Sequence, residues 1–231
     1  MTKRIWELDA LRGICILGMV AVHLIYDFGS AELQTAPFYR LALNWGGVLF
    51  VLLSGISITL SARWLTRGSI VFGCGMLCTA VTWIMEHFGW TEQGMCIVFG
   101  VLHCLGVCML LWSIFRHFTT KMLTMIGVSL WILGSIVSKI SVLTPWLIPL
   151  GLTPADFASA DYFPLLPHLG FFLLGAALGR RLYPQTKSLF PRIQTKCLPV
   201  SFLCACGRHS LGIYLLHQPV IFLCAAIFSY L

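Results

Sequence analysis

Long apolar stretches separated by short polar connections fill most of the chain. A helix needs about 20 mostly apolar residues to cross the core of a bilayer, and seven stretches qualify. They lie at 9–28, 41–61, 69–86, 95–115, 122–138, 163–180 and 203–229. The pattern predicts an all-α, polytopic membrane protein of about seven transmembrane helices, folded as a single integral membrane domain over residues 1–231.

The segment 139–162 breaks this pattern. It contains Pro145, Pro149 and Pro154, and its apolar part is too short to cross a bilayer. Irregular backbone at membrane depth is tolerated only where protein or water covers its polar groups. We therefore expect an interfacial or re-entrant cap, with an eighth partial crossing left as an option.

Composition agrees with a membrane protein and excludes several other classes. Hydrophobic residues make up 58% of the 231 residues and charged residues only 10%, whereas a soluble globule carries about 25% charged residues. A disordered chain and a disulfide-stapled secreted domain are excluded because no stretch is polar enough for either. The net charge of +7 does not by itself indicate a nucleic-acid partner, because basic loops also orient membrane proteins.

Charge in the connecting loops predicts the orientation. Of the 15 Lys and Arg residues, all except Arg40 and Lys139 fall in loops on the side of the N-terminus. Six of the eight acids fall on the other side, all except Glu7 and Asp9. By the positive-inside rule the N-terminus is cytoplasmic and the C-terminus lies outside.

Ionisable residues are densest in the first apolar stretch. Arg12 and His23 are eleven residues apart, so in a helix they share one face at a separation of about 16 Å. His23 and Asp27 are spaced i and i+4, which predicts contact between them. Ionisable groups in a membrane helix are costly and are functional candidates by default. The alternative is that Arg12 snorkels to the headgroups while His23 and Asp27 form a structural pair.

This layout predicts acyl transfer from coenzyme A. A carboxylate beside an imidazole favours a general base that takes a proton from an acceptor hydroxyl or amine, which makes His23 and Asp27 catalytic candidates. Arg12 is placed to hold phosphates by forked hydrogen bonds. Coenzyme A joins the two needs, since its phosphates are cytosolic and its pantetheine arm is comparable in length to the Arg12–His23 spacing.

Four pieces of the chain, in order, resemble one known family. The first helix has the pattern of arginine, ten residues and histidine found in transmembrane acyltransferases, here Arg12 and His23. Its continuation is similar to prokaryotic relatives of heparan-alpha-glucosaminide N-acetyltransferase. So are the motifs FGVLHCLG, YFPLLPHLG with LLGAALG, and GRHSLGIYLLHQP, at 99–106, 162–170 with 173–179, and 207–219.

The resemblance implies transfer of an acetyl or other acyl group from cytosolic acetyl-CoA to a sugar or glycan on the outer side. It also implies that His23 is the essential histidine and Arg12 the matching arginine. The resemblance further implies that the chain is located in a bacterial inner membrane, with lipids around it. The resemblance does not carry over the sugar preference, because this chain is shorter than the eukaryotic enzyme of the family and has fewer predicted crossings. A homodimer is left as an option, and no nucleic-acid partner is expected.

Further polar residues complete the predicted site. His103 and His168 fall at a depth similar to that of His23, and His217 with Gln218 lies midway through the last stretch. We expect these residues to line the acceptor pocket, and we expect no metal, since sequence gives no fixed ligand geometry. The alternatives are that His168 caps its helix after Pro164 and Pro167, and that His217 and Gln218 satisfy the kink at Pro219.

Basic residues near the cytoplasmic helix ends are further candidates. Arg208 and His209 are expected at the start of the seventh helix, where free backbone donors favour phosphate, so they are predicted coenzyme contacts. Most other basic residues are read as positive-inside charge. Several tryptophans fall near predicted membrane interfaces, namely Trp6, Trp45, Trp64, Trp90 and Trp146.

Two other functions remain open at this point. In a small solute transporter or lipid flippase, His23, Asp27 and His103 would relay protons or bind a solute. A non-enzymatic subunit of an envelope complex is the second. A transporter would show alternating access without thiol release, whereas an acyltransferase releases free coenzyme A only when an acceptor is present.

Overall fold

The structure is a computed structural model that describes residues 5–191 and 197–229. The described residues form nine α-helices and one short 3-10 helix, which confirms the all-α prediction. The α-helices are α1 (Trp6–Phe28), α2 (Ala31–Thr35), α3 (Pro37–Ile58), α4 (Trp64–His87), α5 (Val101–Phe115), α6 (Thr120–Val137), α7 (Leu165–Leu182), α8 (Leu198–Arg208) and α9 (Ser210–Ser229).

Five of the described helices are long and apolar enough to cross a membrane: α1, α3, α4, α6 and α9. Two further apolar helices are shorter, since α5 has 15 residues and α8 has 11. The chain is therefore a multi-pass integral membrane protein. The count of seven crossings and the orientation of the termini stay predictions.

The first of two compact units comprises residues 1–53 and 185–231. Its centre is the contact between α1 and α8, where glycines let the two backbones approach. A Cβ on Gly13 would lie 2.0 Å from the carbonyl oxygen of Leu203, and one on Gly207 would lie 1.8 Å from that of Asp9. Such separations exclude any side chain, so both positions require glycine.

The helices α8 and α9 pass α1 in opposite directions. Along α8, Leu203 faces Gly13 and Gly207 faces Asp9, so the order of contacts is reversed. Along α9, His217 contacts His23 and Phe222 contacts Phe28, so the order is the same. The stretch 203–229, predicted as the last crossing, is divided between α8 and α9, because the backbone leaves helical geometry at His209.

The second unit comprises Ser54–Pro184 and contains two antiparallel helix pairs. In the first pair, Gly75 of α4 packs against His103 of α5, and Gly106 of α5 packs against Phe72 of α4. In the second pair, Gly134 of α6 packs against Pro167 near the start of α7, whereas Gly127 faces Leu174 farther along it. Small residues at each crossing allow this approach.

Polar connections join the helix ends of this second unit. The helix in the predicted span 95–115 begins only at Val101, because the N–H groups of residues 96–98 donate to side chains elsewhere instead of to a helix. The segment 139–162 contains the 3-10 helix Pro145–Leu150 and a bridge between Ser141 and Thr153, and no α-helix among its residues. The segment therefore contains no helix long enough to cross a membrane, whereas its role as an interfacial or re-entrant cap stays a prediction.

Candidate functional site

The ring of His23 is oriented by its own helix. Its Nδ1 lies 2.9 Å from the carbonyl oxygen of Met19, one turn earlier in α1. Because a carbonyl only accepts, Nδ1 carries the proton and donates it. In the neutral ring the lone pair is therefore on Nε2, the nitrogen farther from the backbone. A half-buried imidazole held in this tautomer can act as a base or nucleophile through Nε2.

The ring of His217 lies against that of His23. The two ring centroids are 4.8 Å apart and the ring planes meet at 71°. The Nδ1 of His217 lies 2.6 Å from the carbonyl oxygen of Tyr214, so this ring also donates through Nδ1 to its own helix. The structure thus brings together two histidines that stand near opposite ends of the chain.

Two acceptor oxygens near this histidine pair have no donor. Asp27 was expected to contact His23, but no hydrogen bond or ion pair joins them within the described residues. The Oδ2 of Asp27 and the Oε1 of Gln218 are buried, and neither has a hydrogen-bond partner in the part of the chain that the structure describes. The bond of His23 that the structure shows is instead the one from Nδ1 to Met19. A buried carboxylate oxygen and amide oxygen instead remain to accept hydrogen bonds.

Arg12 lies on the same helix as His23. Because α1 is unbroken from Trp6 to Phe28, the eleven residues between them correspond to about 16 Å along one face. The Nη1 of Arg12 lies 3.4 Å from the Oδ1 of Asp9, and Asp9 is a buried residue that is 7% exposed. Arg12 is therefore oriented by a neighbouring acid one turn earlier.

Arg208 and His209 lie where α8 ends and α9 begins. Arg208 is the last residue of α8 and His209 is its C-terminal cap, and the carbonyl of His209 accepts from the N–H of Ile213 in α9. Helix α9 then begins at Ser210. Their phosphate-binding role stays a prediction.

Glu7 is a buried residue for which no role was predicted from the sequence. Its carboxylate accepts from the hydroxyl of Ser188 at 2.8 Å and from the backbone N–H of Leu189 at 2.7 Å. The neighbouring Trp6 donates from its indole to the carbonyl of Phe190 at 3.3 Å. The start of α1 thus holds the segment that leads toward α8. An acid among basic loops was the signal in the sequence, but its partners lie too far along the chain to be inferred.

His103 is held differently from His23. It is 2% exposed, and its Nδ1 accepts from the backbone N–H of Gly100 at 3.2 Å. The proton is therefore on Nε2, which lies 3.3 Å from the hydroxyl oxygen of Thr79. That hydroxyl donates to the carbonyl of Ile97 at 2.5 Å. Both ring nitrogens thus serve the fold, and the rings of Phe72 and Phe99 pack on the imidazole.

Asp161 and Tyr162 stabilise the same region, although no role for either was predicted from the sequence. Asp161 Oδ2 accepts from the backbone N–H of Val101 at 2.9 Å, in the first turn of α5. A Cβ on Gly100 would lie 2.2 Å from that oxygen, so the carboxylate occupies the space beside glycine. The hydroxyl of Tyr162 donates to the carbonyl of Ile148 at 2.7 Å, and burial raises the pKa of Tyr162 to about 12. The hydroxyl therefore stays protonated and continues to donate.

His168 has the contacts of a helix-start residue. Its Nδ1 lies 2.7 Å from the carbonyl oxygen of Pro164, and its ring packs on Phe163 with centroids 4.6 Å apart. This geometry agrees with the structural cap that was one of its two interpretations. The expectation that His103 and His168 line a pocket with His23 stays a prediction.

The arrangement in the first unit can do acid–base or nucleophilic chemistry. Two imidazoles in contact, one with Nε2 as the basic nitrogen, lie near acceptor oxygens that bind hydroxyl or amine hydrogens. Among the residues that the structure describes, no three His, Cys, Asp or Glu side chains form a group able to hold a metal ion.

Comparison with protein families gives one match. The family described as Heparan-alpha-glucosaminide N-acetyltransferase, catalytic, matches residues 4–219. The matched region includes all the histidines discussed above. No curated protein and no solved structure matches the chain.

Proposed function

We propose that this chain, which belongs to the heparan-alpha-glucosaminide N-acetyltransferase catalytic family, transfers an acetyl group from acetyl-CoA to a sugar or glycan across a membrane. The family match over residues 4–219 is the observation that carries this proposal. It gives the chain an acetyltransferase-like function, and the apolar helices make it a membrane enzyme. The donor and the side on which the acceptor binds are our proposals.

The donor binds on the cytoplasmic side and the acceptor on the outer side. This assignment follows the positive-inside rule, because the Lys and Arg residues concentrate at the helix ends on the N-terminal side. Arg12, Arg208 and His209 hold the phosphates of acetyl-CoA there. The pantetheine arm follows α1 toward His23, along about 16 Å of helix. The membrane is a bacterial inner membrane, and lipids surround the apolar helices.

His23 is the proposed catalytic residue. Its Nε2 takes the proton from an acceptor N–H or O–H as the acceptor attacks the thioester carbonyl. The new N–C or O–C bond forms, the C–S bond breaks, and the proton passes from His23 to the leaving thiolate. In the second version Nε2 attacks the thioester carbonyl first, the C–S bond breaks, and coenzyme A leaves as the thiolate. The acceptor then attacks the acetyl carbonyl, the Nε2–C bond breaks, and the acceptor proton passes to the thiolate. The tautomer set by Met19 supports both versions, since each needs the lone pair on Nε2.

The neighbouring polar residues position the acceptor. His217 packs against His23 and fixes the direction of its ring. Asp27 and Gln218 offer oxygens that accept hydrogen bonds from the acceptor, because no described residue uses them. His103 and His168 support the surrounding structure, since hydrogen bonds to the fold hold their rings, and their place in the acceptor pocket stays a prediction.

Radiolabelled acetyl-CoA added to proteoliposomes tests the proposal. The wild type should transfer label to at least one member of a panel of amino sugars and glycans, releasing free coenzyme A only when an acceptor is present. His23→Gln should lose the transfer, while His87→Gln should retain it, since His87 is an exposed residue at the end of α4. Equal transfer by His23→Gln and the wild type would overturn the role of His23. Absence of transfer and of coenzyme binding by the wild type would overturn the function.

A further inference from the structure

A second group of basic and aromatic residues lies in the other unit, where α4 begins and α5 ends. The guanidinium carbon of Arg116 lies 4.5 Å from the ring centroid of Trp64. The Nε of Arg116 donates to the Nε2 of His117 at 3.2 Å. Stacking on an aromatic face and one directed hydrogen bond restrict the guanidinium to one plane. The side chain is exposed, so a ligand can reach it.

Arg180 holds the backbone beneath this side chain. It lies at the end of α7, and its Nη2 donates to the carbonyl of Arg116 at 2.7 Å. Its Nη1 donates to the carbonyl of Phe118, and its guanidinium carbon lies 5.2 Å from the centroid of Trp112. The two arginines therefore have different roles. Arg180 closes the turn after α5, and Arg116 presents its charged group outward.

Two of the three nitrogens of Arg116 have no acceptor among the described residues. Within the described residues, neither Nη1 nor Nη2 donates to an acceptor or forms an ion pair. His117 adds a further donor, because its Nε2 accepts and Nδ1 then carries the proton. The indole Nε1 of Trp64 is buried and also has no acceptor among the described residues. The group is thus rich in donors and has no carboxylate.

Acidic residues of this unit lie at the other helix ends. The four acids in Ser54–Pro184 fall at the end of α4 or in the connections that precede α5 and α7. Two of them are already bonded, Glu86 to the N–H of Cys96 and Asp161 to that of Val101. Six cations stand instead at the start of α4, the turn between α5 and α6, and the end of α7: Arg63, Arg67, Arg116, Lys121, Arg180 and Arg181. The positive field at this end therefore has no internal counter-charge.

We propose that Arg116, oriented by Trp64 and His117, forms a binding site for a phosphate group. The planar guanidinium offers two parallel N–H donors that match two phosphate oxygens. Two sources share this chemistry, the phosphates of a nucleotide-bearing coenzyme and the headgroup of an anionic lipid. The site lies in a different unit from Arg12 and Arg208, and it requires no acyl transfer.

Binding of two phosphate probes to the full-length protein tests this site. Adenosine 3′,5′-bisphosphate is titrated against protein in neutral detergent, and phosphatidic acid is titrated in phosphatidylcholine nanodiscs. Arg116→Gln should weaken binding of at least one probe by about tenfold or more, because charge-assisted bonds are lost. Loss for the nucleotide identifies the coenzyme as the source, and loss for the lipid alone identifies the headgroup. Lys121→Gln removes an equal charge from the same end and should change binding less than about twofold.

Two further variants keep the test decisive if Arg116→Gln does not fold. Arg116→Lys keeps the charge but removes the paired donors, and Trp64→Leu removes the aromatic surface but no charge. Each should weaken the same probe as Arg116→Gln while the unfolding midpoint stays near that of the wild type. Wild-type binding of both probes by these variants overturns the proposal. So does an equal loss in Lys121→Gln, which would indicate diffuse charge, or failure of the wild type to bind either probe. Acyl transfer is not measured, so the result is independent of the proposed function.

Discussion

His23 and His103 both lie in apolar helices, yet their rings are held in opposite tautomers. His23 donates from Nδ1 to a carbonyl of its own helix, so the basic nitrogen is the one away from the backbone. His103 accepts at Nδ1 from Gly100 and directs Nε2–H to Thr79, which passes the hydrogen bonding on to Ile97. The first ring has a basic nitrogen for chemistry, and the second has both nitrogens committed to the fold.

Two carboxylates, Asp27 on the helix of His23 and Asp161 at the start of the helix of His103, differ in the same way. Asp161 accepts from the first turn of α5, whereas the Oδ2 of Asp27 is buried with no partner among the described residues. An ionisable residue in a membrane helix is a functional candidate by default, but a fully bonded one is explained by structure alone. Hydrogen-bond partners therefore separate catalytic from structural candidates where hydropathy treats them alike.

The largest expected effect is the loss of catalysis in the variant His23→Gln. Glutamine keeps a polar group at the reactive position but cannot act as a base. We expect acetyl transfer to fall by about 10²–10⁴-fold, with the unfolding midpoint near that of the wild type. Initial rates with radiolabelled acetyl-CoA and thermal unfolding in detergent measure the two quantities. A similar loss of rate in His103→Asn would break the contrast between the two rings.

The next effect is on stability, from His103→Leu. This change leaves the N–H of Gly100 buried without an acceptor and removes the donor to Thr79. We expect the free energy of unfolding to fall by about 2–4 kcal/mol. His103→Asn should recover part of it, because its amide oxygen can replace Nδ1 as acceptor. Chemical unfolding followed by circular dichroism gives the comparison, and equal stability of all three proteins would contradict the structural role.

The carboxylates provide a smaller, paired comparison. Asp161→Asn weakens a charge-assisted bond to Val101 and should lower the free energy of unfolding by about 1–2 kcal/mol. Asp27→Asn loses no bond that the described residues make through Oδ2, so its stability should change by less than about 0.5 kcal/mol. Its transfer rate should fall by about tenfold if that oxygen binds the acceptor. The reverse ranking of the two stabilities would refute the assignment.

The smallest expected effect concerns Thr79, which links His103 to Ile97. Thr79→Val removes the hydroxyl but keeps the branched shape, and we expect a loss of about 1 kcal/mol. Thr79→Ser keeps the hydroxyl and should lose less than Thr79→Val. Unfolding midpoints of the two variants, measured side by side, decide whether the hydrogen bonds of the Thr79 hydroxyl contribute to stability. Identical midpoints would show that they do not.

Sequence predicted the helices well because lipid permits few alternatives. Apolar length alone located α1, α3, α4 and α6 to within a few residues at most ends. It placed the start of α5 too early, since residues 95–100 are apolar but their backbone bonds to Thr82, Glu86 and Ser159. Those partners cannot be inferred from a hydrophobic pattern. The break at His209 was missed for a similar reason, because apolar residues continue through it.

The candidate site was predicted in its residues but not in its contacts. His23 and His217 were both chosen, yet their contact depends on the packing of α9 along α1. Spacing of four residues suggested that His23 would bond Asp27, but spacing does not reveal that a backbone carbonyl competes for the ring. Trp64 and Arg116 had explanations as an interface aromatic and an orienting charge, so their stacking was not anticipated.

The bonds from Glu7 to Ser188 and Leu189 have a consequence for biosynthesis. Helix α1 leaves the ribosome well before its partners in α8 and α9, because the whole of Ser54–Pro184 is made between them. Non-local contacts of this kind are slow to form. During that interval the close-packing surface around Gly13 and the carboxylate of Glu7 remain without their native neighbours, whereas Ser54–Pro184 is continuous in sequence. The unit that holds His23 is therefore completed only after Ser54–Pro184 has been made, and the histidine pair cannot form before then.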